Sequence, residues 1–154
     1  MHQYLNKLAH YDAWANEQVL ATVRALGRTD ERVETLVGHL VQAKRIWLGR
    51  IDNTPDGQLP PAQPRINVDE ATRLLAITDA RLIAITGALT TAGPGHLVYY
   101  RTSKGVAYQT PLVDVIVHLV NHATYHRGQI ATAVKNSGGT PAVTDYIAWV
   151  RLKE

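Results

Sequence analysis

Residues 111–135, PLVDVIVHLVNHATYHRGQIATAVK, carry the pattern that decides the fold. Apolar side chains recur every three or four positions along this stretch, which is typical of an amphipathic α-helix. Thr110 is a candidate N-cap with Pro111 at the first helical position, and Gly138 with Gly139 follows as a stop signal. We therefore predict one long helix that ends near the last residue of the stretch.

Three histidines lie one turn apart on this predicted helix: His118, His122 and His126. On a helical wheel they are separated by steps of about 40°, and the apolar arc covers roughly 60° to 200° from His118. His126 therefore faces the core, His122 lies at the rim of the apolar arc, and His118 is outermost. About 12 Å of helix rise separates His118 from His126, so one metal ion cannot bind all three. Neighbouring imidazoles can share an ion, and the angles favour His122 with His126.

Three polar residues accompany the histidines. Gln129 lies beside the histidine stripe, where it could orient an imidazole or a bound water, or remain a solvated surface amide. Asp114 precedes His118 by one turn and could pair with it, or serve as an ordinary acid at the start of a helix. Arg127 falls within the apolar arc, which favours a structural salt bridge, for example with Asp145, over substrate binding.

A second helix is predicted from the N-cap Asp30 to about Asp52. Its apolar stripe consists of Val33, Leu36, Leu40, Ala43, Trp47 and Ile51. His39 lies about 60° from the centre of that stripe, inside the buried sector and near its flank. Because no other histidine lies on the inward face of a different helix, His39 is the candidate third ligand for a metal on His122 and His126.

A site of three imidazoles would leave at least one coordination position open, which catalysis requires. At that position a bound water would have its pKa lowered towards neutrality and a bound thiol would be deprotonated. Imidazole ligands suit Zn, Ni, Fe or Co. The alternative interpretation is that these histidines are satisfied core residues, and their spacing alone does not decide between the two.

The first 68 residues also predict one more helix and a long loop. The first helix spans about 3–26 and stops at Gly27, with Tyr11 and Trp14 assigned to the core rather than to a substrate wall. The segment 53–68 contains four prolines, which excludes a regular helix. A loop of this length could return the chain along the molecule, so that the second and third helices run parallel.

The middle and the end of the chain predict three further elements. Asn67 is a candidate cap for a third helix that runs to about Leu89 and ends before Gly-Pro-Gly at 93–95. Two β-prone runs around a Gly-containing turn predict a small hairpin over 96–109. A short last helix is predicted at about 142–152. Since helices dominate, the predicted fold class is all-α.

Composition limits the classes of function. A chain of 154 residues with 45% hydrophobic residues suits a single domain over 1–154. It has no cysteine, so any thiol chemistry would need a thiol from outside. The net charge is +3 and the basic residues are scattered, which favours a mildly basic surface over a nucleic-acid interface. The chain shows no signal-peptide pattern and no run of about 18 apolar residues, which predicts a cytoplasmic protein that does not enter the membrane.

Four stretches, taken in order, carry a family resemblance: YDAWAN at 11–16, GHL at 38–40 followed by RIWL at 45–48, the hairpin at 100–108, and HLVNHATYHRGQ at 118–129. Together they are similar to the DinB (DinB/YfiT-like) family of metal-dependent enzymes. The resemblance covers nearly the whole chain, and the last stretch is its specific part.

This resemblance implies a four-helix bundle whose helices run up, down, down and up, with the hairpin between helices 3 and 4 and a short C-terminal helix. It also implies one divalent metal ion, most often Ni or Zn, with Fe, Co and Mn as further candidates. By this resemblance the metal ligands are His39, His122 and His126, the trio that the wheel geometry favours. His118 corresponds to a frequent family histidine that is not normally a ligand. A homodimer is compatible with the resemblance.

Relatives in the wider superfamily transfer low-molecular-weight thiols such as bacillithiol or mycothiol, or isomerise substrates with a thiol cofactor. The resemblance therefore implies a small-molecule enzyme, first of all a thiol-dependent S-transferase that attacks a small electrophile with a metal-bound thiolate. Two alternatives stay open. One is a metal-dependent hydrolase, and the other is a non-enzymatic, metal-binding bundle associated with the stress response.

Overall fold

The computed structural model describes residues 2–61, 64–89 and 96–152, and helices account for most of them. The elements, in chain order, are α1 His2–Ala25, α2 Glu31–Asp52, a 3-10 turn Pro55–Gln58, α3 Val68–Ala88, β1 Leu97–Arg101, β2 Ala107–Pro111, α4 Leu112–Asn136 and α5 Tyr146–Arg151. The two strands form an antiparallel hairpin between α3 and α4, in which Tyr99 pairs with Gln109. The all-α prediction with one hairpin is confirmed.

Contacts between helix ends give the direction of each helix. Ile66, just before α3, donates its backbone N–H to Glu34 in the first turn of α2, so α2 and α3 run parallel. Arg24 at the end of α1 forms an ion pair with Asp69 at the start of α3, so these two helices are antiparallel. Ser137, just after α4, donates its hydroxyl to Asp30, the N-cap of α2. The four helices therefore run up, down, down and up, as the resemblance implies.

The interior contains two large apolar clusters, one towards each end of the bundle, and a smaller one around Tyr11 and Trp149. The cluster near the start of α2 includes Leu20, Val37, Leu40, Leu75, Ile130 and Val134. The cluster near the end of α2 includes Leu5, Leu48, Leu82, Val98, Ile116 and Leu119. Charged side chains occupy the level between them, and they are described with the candidate site.

Two predicted helix caps and one close backbone approach are seen around the long loop. The carboxylate of Asp30 accepts the Val33 N–H at 3.0 Å, and Asn67 accepts the Glu70 N–H at 2.9 Å, so both predicted caps are confirmed. At Gly38 a Cβ atom would fall 1.6 Å from the carbonyl oxygen of Pro64. Since only glycine leaves room for that carbonyl, it lets the end of the loop rest directly on α2, one residue before a candidate ligand.

The structure corrects two predicted boundaries and adds a short element to the Pro-rich loop. Pro111 is extended and pairs with Leu97 in the hairpin, so it caps α4 instead of occupying the first helical position after Thr110. The last helix is only Tyr146–Arg151, because the residues before its N-cap Asp145 are not helical. The Pro-rich segment contains a 3-10 turn where no helix was expected. The predicted Gly-Pro-Gly stop at 93–95 lies outside the described residues.

None of the helices in the described part of the chain is both long enough and apolar enough to span a membrane. This agrees with the absence of a membrane-spanning pattern in the sequence.

Candidate metal centre

His39 of α2 meets His122 and His126 of α4 where these two helices cross. One nitrogen from each imidazole can be chosen so that all three atoms lie within 4.8 Å of one another. The ring of His126 lies 4.3 Å, centroid to centroid, from the rings of both His39 and His122. The structure thus brings together the trio that the sequence singled out.

The donor set fits a divalent transition metal. Nitrogen ligands of one tetrahedral zinc lie about 3.4 Å apart, since each Zn–N bond is about 2.1 Å. The three imidazole nitrogens lie within 4.8 Å of one another, so rotation of the rings would bring them to the spacing that one zinc ion requires. Three neutral nitrogen donors suit Zn, Ni, Fe or Co, and leave at least one position for a reactant.

Burial of the α4 histidines follows the predicted angular order. His126 is buried at 7% exposure, His122 is half-buried and His118 is exposed. Burial, together with the neighbouring rings of His126, His118 and His39, lowers the pKa of His122 to about 4. A neutral imidazole keeps the lone pair that a metal needs, so His122 is ready to act as a ligand at neutral pH.

Gln129 orients His126. The carbonyl oxygen Oε1 of Gln129 lies 2.9 Å from Nδ1 of His126, one turn away on the same helix. With Oε1 of Gln129 as the acceptor, this hydrogen bond requires the proton of His126 on Nδ1 and leaves the lone pair on Nε2. Of the two roles weighed for Gln129, the hydrogen bond supports the orienting one.

His118 is not one of the three histidines whose nitrogens converge, although its ring lies 5.3 Å, centroid to centroid, from that of His122. Its ring contacts Trp47 of α2 edge-on, with centroids 4.9 Å apart. Partial loss of hydration in the contact with α2 and the nearby cation of Arg50 lower the pKa of His118. Asp114 is exposed, and the described part of the chain shows no ion pair between it and His118. His118 therefore belongs to the aromatic contact between α4 and α2.

A layer of buried charges lies beside the candidate metal centre, since Arg127 directly follows His126 on α4. Arg127, at 1% exposure, donates from Nη1 to Asp12 at 2.5 Å and to Asn16 at 2.9 Å. Lys44 donates to Asp12 at 2.7 Å and also contacts Asp79. Two cations and two anions, one from each long helix, thus neutralise one another between the two large apolar clusters.

The charges of this layer perturb one another's ionisation. Burial disfavours the charged form of Asp12, but Lys44 and Arg127 outweigh it and lower the pKa of Asp12. Burial likewise opposes the charge on Lys44, and its two carboxylate partners outweigh it and raise the pKa of Lys44. Burial also raises the pKa of Asp79, although Lys44 partly offsets this effect.

The predicted salt bridge of Arg127 is present, but the partner suggested for it is wrong. Asp145 is exposed at the start of α5, whereas Asp12 of α1 lies beside Arg127 because α1 and α4 run parallel at matching heights. Tyr11 is buried and contacts Trp149 edge-on at 6.0 Å, and Trp14 packs against the same cluster. The assignment of Tyr11 and Trp14 to the core is confirmed.

A cavity of about 430 Å³ opens beside the histidines. His39 and His122 line it together with Trp47 and Arg50 of α2, and with Arg101 at the end of β1. This volume suits a small organic molecule. The sequence did not point to Arg50 or Arg101, since the docking of the hairpin against α2 is a long-range contact with no local pattern.

Three inward imidazoles on facing helices of an up-down-down-up bundle define a class of protein: a helical bundle with a candidate metal site next to a small cavity. The family model described as the DinB family matches residues 1–153. The chain therefore belongs to the DinB family.

A curated relative agrees with this assignment. The protein DinB of Bacillus subtilis (strain 168) is 23% identical over 163 residues, an alignment that covers 95% of this chain and 93% of that protein. No solved structure matches the chain.

Proposed function

We propose that this protein is a metal-dependent enzyme that transfers a low-molecular-weight thiol to a small electrophile. One observation supports the proposal above all: two of the three clustered imidazoles, His39 and His122, also form the wall of a cavity of about 430 Å³. A purely structural metal site is closed by its ligands, whereas a catalytic site keeps access to one position.

In this proposal His39, His122 and His126 hold one divalent ion, with nickel and zinc as the first candidates. Such an ion would act as a Lewis acid with one open position, where a bound thiol would lose its proton near neutral pH. Gln129 contributes by holding His126 in the tautomer whose lone pair is on Nε2.

In this proposal the thiol is a substrate that comes from outside the chain, and the absence of cysteine is compatible with that role. Its sulfur forms a new bond to a carbon of the electrophile, the leaving group departs with the electron pair of its own bond, and the thiol proton passes to solvent. Ile46, Trp47 and Leu59 supply apolar wall to the cavity. They limit the water around the two substrates, which favours attack by sulfur over hydrolysis.

The test is a thiol-transfer assay with protein purified without a histidine tag. Protein loaded with one equivalent of Zn²⁺ or Ni²⁺ is incubated with bacillithiol or cysteine and 1-chloro-2,4-dinitrobenzene, and thioether formation is followed by absorbance. We expect a rate well above the rate without enzyme, with loss of the enzymatic rate after chelation and in His122→Ala. His10→Ala, which removes an exposed imidazole of α1, is the matched control and retains the rate. Equal rates in loaded and chelated protein would contradict the proposal.

The hydrogen bond from His126 to Gln129 leads to a separate prediction. Gln129→Leu removes the acceptor that orients the imidazole, so we expect the metal affinity to fall by about 10- to 100-fold. Gln129→Glu keeps an acceptor and is expected to keep the affinity. Gln3→Leu, at an exposed position of α1, is the control for an added surface leucine. Competition with a chromophoric chelator measures the affinity, and an unchanged value in Gln129→Leu would exclude the orienting role.

A further inference from the structure

Arg50 is a cation at the wall of the cavity whose charge no acid in the described part of the chain balances. It lies in the last turn of α2, where its guanidinium carbon is 4.5 Å from the ring centroid of Trp47 and 4.7 Å from that of Tyr100. Within the described residues it forms no ion pair, and its buried Nε has no hydrogen-bond partner. The cation is thus held by two aromatic rings, while its buried Nε–H has no acceptor among the described residues.

The surroundings of Arg50 increase its attraction for an anion. Burial lowers the pKa of Arg50, which shows that the cation has lost part of its hydration, yet an arginine stays protonated at neutral pH. Arg101 lines the same cavity, and none of the described residues that line it is acidic. Two cations on one concave, partly apolar surface concentrate positive potential inside it.

Stacking also fixes the direction in which Arg50 can bind. A guanidinium that lies over aromatic rings exposes the N–H groups along its edge, and these match the two oxygens of a carboxylate or the oxygens of a phosphate. Trp47 is itself held by Tyr100 and His118, whose centroids lie 5.0 Å and 4.9 Å from that of Trp47. The cation is therefore positioned before any ligand arrives.

Arg50 and His39 contribute to the wall of the cavity from different turns of α2. Eleven residues of α2 separate Arg50 from His39, which corresponds to about 16 Å of helix rise. Long side chains on a helix lean towards its N-terminus, so Arg50 reaches back towards His39 and shortens this distance. An anionic group held by Arg50 is thus separate from the group that approaches the histidines.

We propose that the cavity selects a small molecule with an anionic group at one end, which Arg50 binds with help from Arg101, an apolar middle, and a reactive group that reaches the histidines. This inference rests on the proposed function for the identity of the reactive end, but the recognition of the anion can be tested without catalysis. The shared chemistry is a terminal carboxylate or phosphate, carried by either the thiol or the electrophile.

The test compares 4-phenylbutyrate with its neutral counterpart 4-phenylbutyramide, using the full-length protein after chelation. Binding is followed by the NMR signal of the Trp47 indole N–H, which Trp47→Phe identifies among those of the three tryptophans. We expect the carboxylate to bind at least about tenfold more tightly than the amide, in keeping with a charge-assisted hydrogen bond. We expect Arg50→Gln to abolish this preference and Arg50→Lys to keep part of it. Arg32→Gln, at an exposed position of α2, is the control and keeps all of it.

Repeating the titration with Zn²⁺-loaded protein separates the two proposals. Carboxylate binding that needs the metal and is unchanged in Arg50→Gln would overturn the role of Arg50 and leave the metal site intact. A carboxylate preference that depends on Arg50, in a protein without transferase activity, would support the anion site and contradict the proposed reaction. If the enzyme is active, Arg50→Gln is expected to raise KM for only one of the two substrates. That result would support the proposal and show which substrate carries the anion.

Discussion

Alanine at His39, His122 or His126 is expected to abolish tight metal binding, whereas alanine at His118 is expected to preserve it. Loss of an orienting partner alone typically lowers metal affinity by 10- to 100-fold, so removal of a direct ligand is expected to cost more than about 100-fold. His118 is the matched control, since it lies one turn before His122 on the same helix and its ring contacts Trp47.

Two measurements decide the outcome. Elemental analysis of the purified proteins is expected to show about one divalent ion per chain in the parent and in His118→Ala, and almost none in the other three variants. Competition with a chromophoric chelator then gives the change in affinity. His126 is the most buried of the four histidines, so His126→Gln serves as a second variant that leaves a smaller cavity, with circular dichroism as the check on folding. An equal loss in all four alanine variants would refute the ligand assignment.

The helical pattern of residues 111–135 was sufficient to predict α4 and the order in which its histidines are buried. Both properties are local, because a period of 3.6 residues places each side chain relative to the apolar arc. The position of His39 relative to the other two histidines is not a local property, since it depends on how α2 packs against α4. The sequence could show only that His39 faces inward, and the structure was needed to show that its ring reaches the other two.

The partners of the buried charges depend on contacts between helices, which a local sequence pattern does not encode. Arg127 was correctly predicted to form a salt bridge, but its partner depends on which residues of other helices share its height, and no local pattern contains that information. A signal for Lys44 was present, because it lies four residues after Leu40 and three before Trp47, within the apolar stripe of α2. A buried lysine is unstable unless an acid pairs with it. Asp12 and Asp79 are the acids that contact Lys44.

Asp12→Asn is expected to destabilise the fold more than any other polar substitution proposed for this protein. Asp12 is fully buried and contacts both Lys44 and Arg127, so the amide leaves a buried layer with two cations and one anion. Removing one partner from a buried ion pair typically costs about 3–5 kcal/mol, because the remaining charge loses its compensation in a medium of low dielectric constant. We expect a loss of that size in the free energy of unfolding.

Urea unfolding at pH 7, followed by circular dichroism, measures this loss. Because folding lowers the pKa of Asp12, its contribution is complete above about pH 4 and disappears as the pH falls through its folded-state pKa, so pH 7 samples all of it. The matched control is Asp69→Asn in the exposed ion pair with Arg24, where we expect a change of no more than about 1 kcal/mol.

A double variant distinguishes loss of charge balance from loss of shape. Lys44→Met added to Asp12→Asn removes one cation as well as one anion, so the layer regains neutrality through Asp79 and Arg127. If uncompensated charge is the cause, the double variant is destabilised by less than the sum of the two single variants, and the difference measures the coupling between Asp12 and Lys44. Strictly additive losses would instead attribute the cost to packing. In either case we expect metal binding to fall only in proportion to the fraction of folded protein, because none of the buried charged residues is a proposed metal ligand.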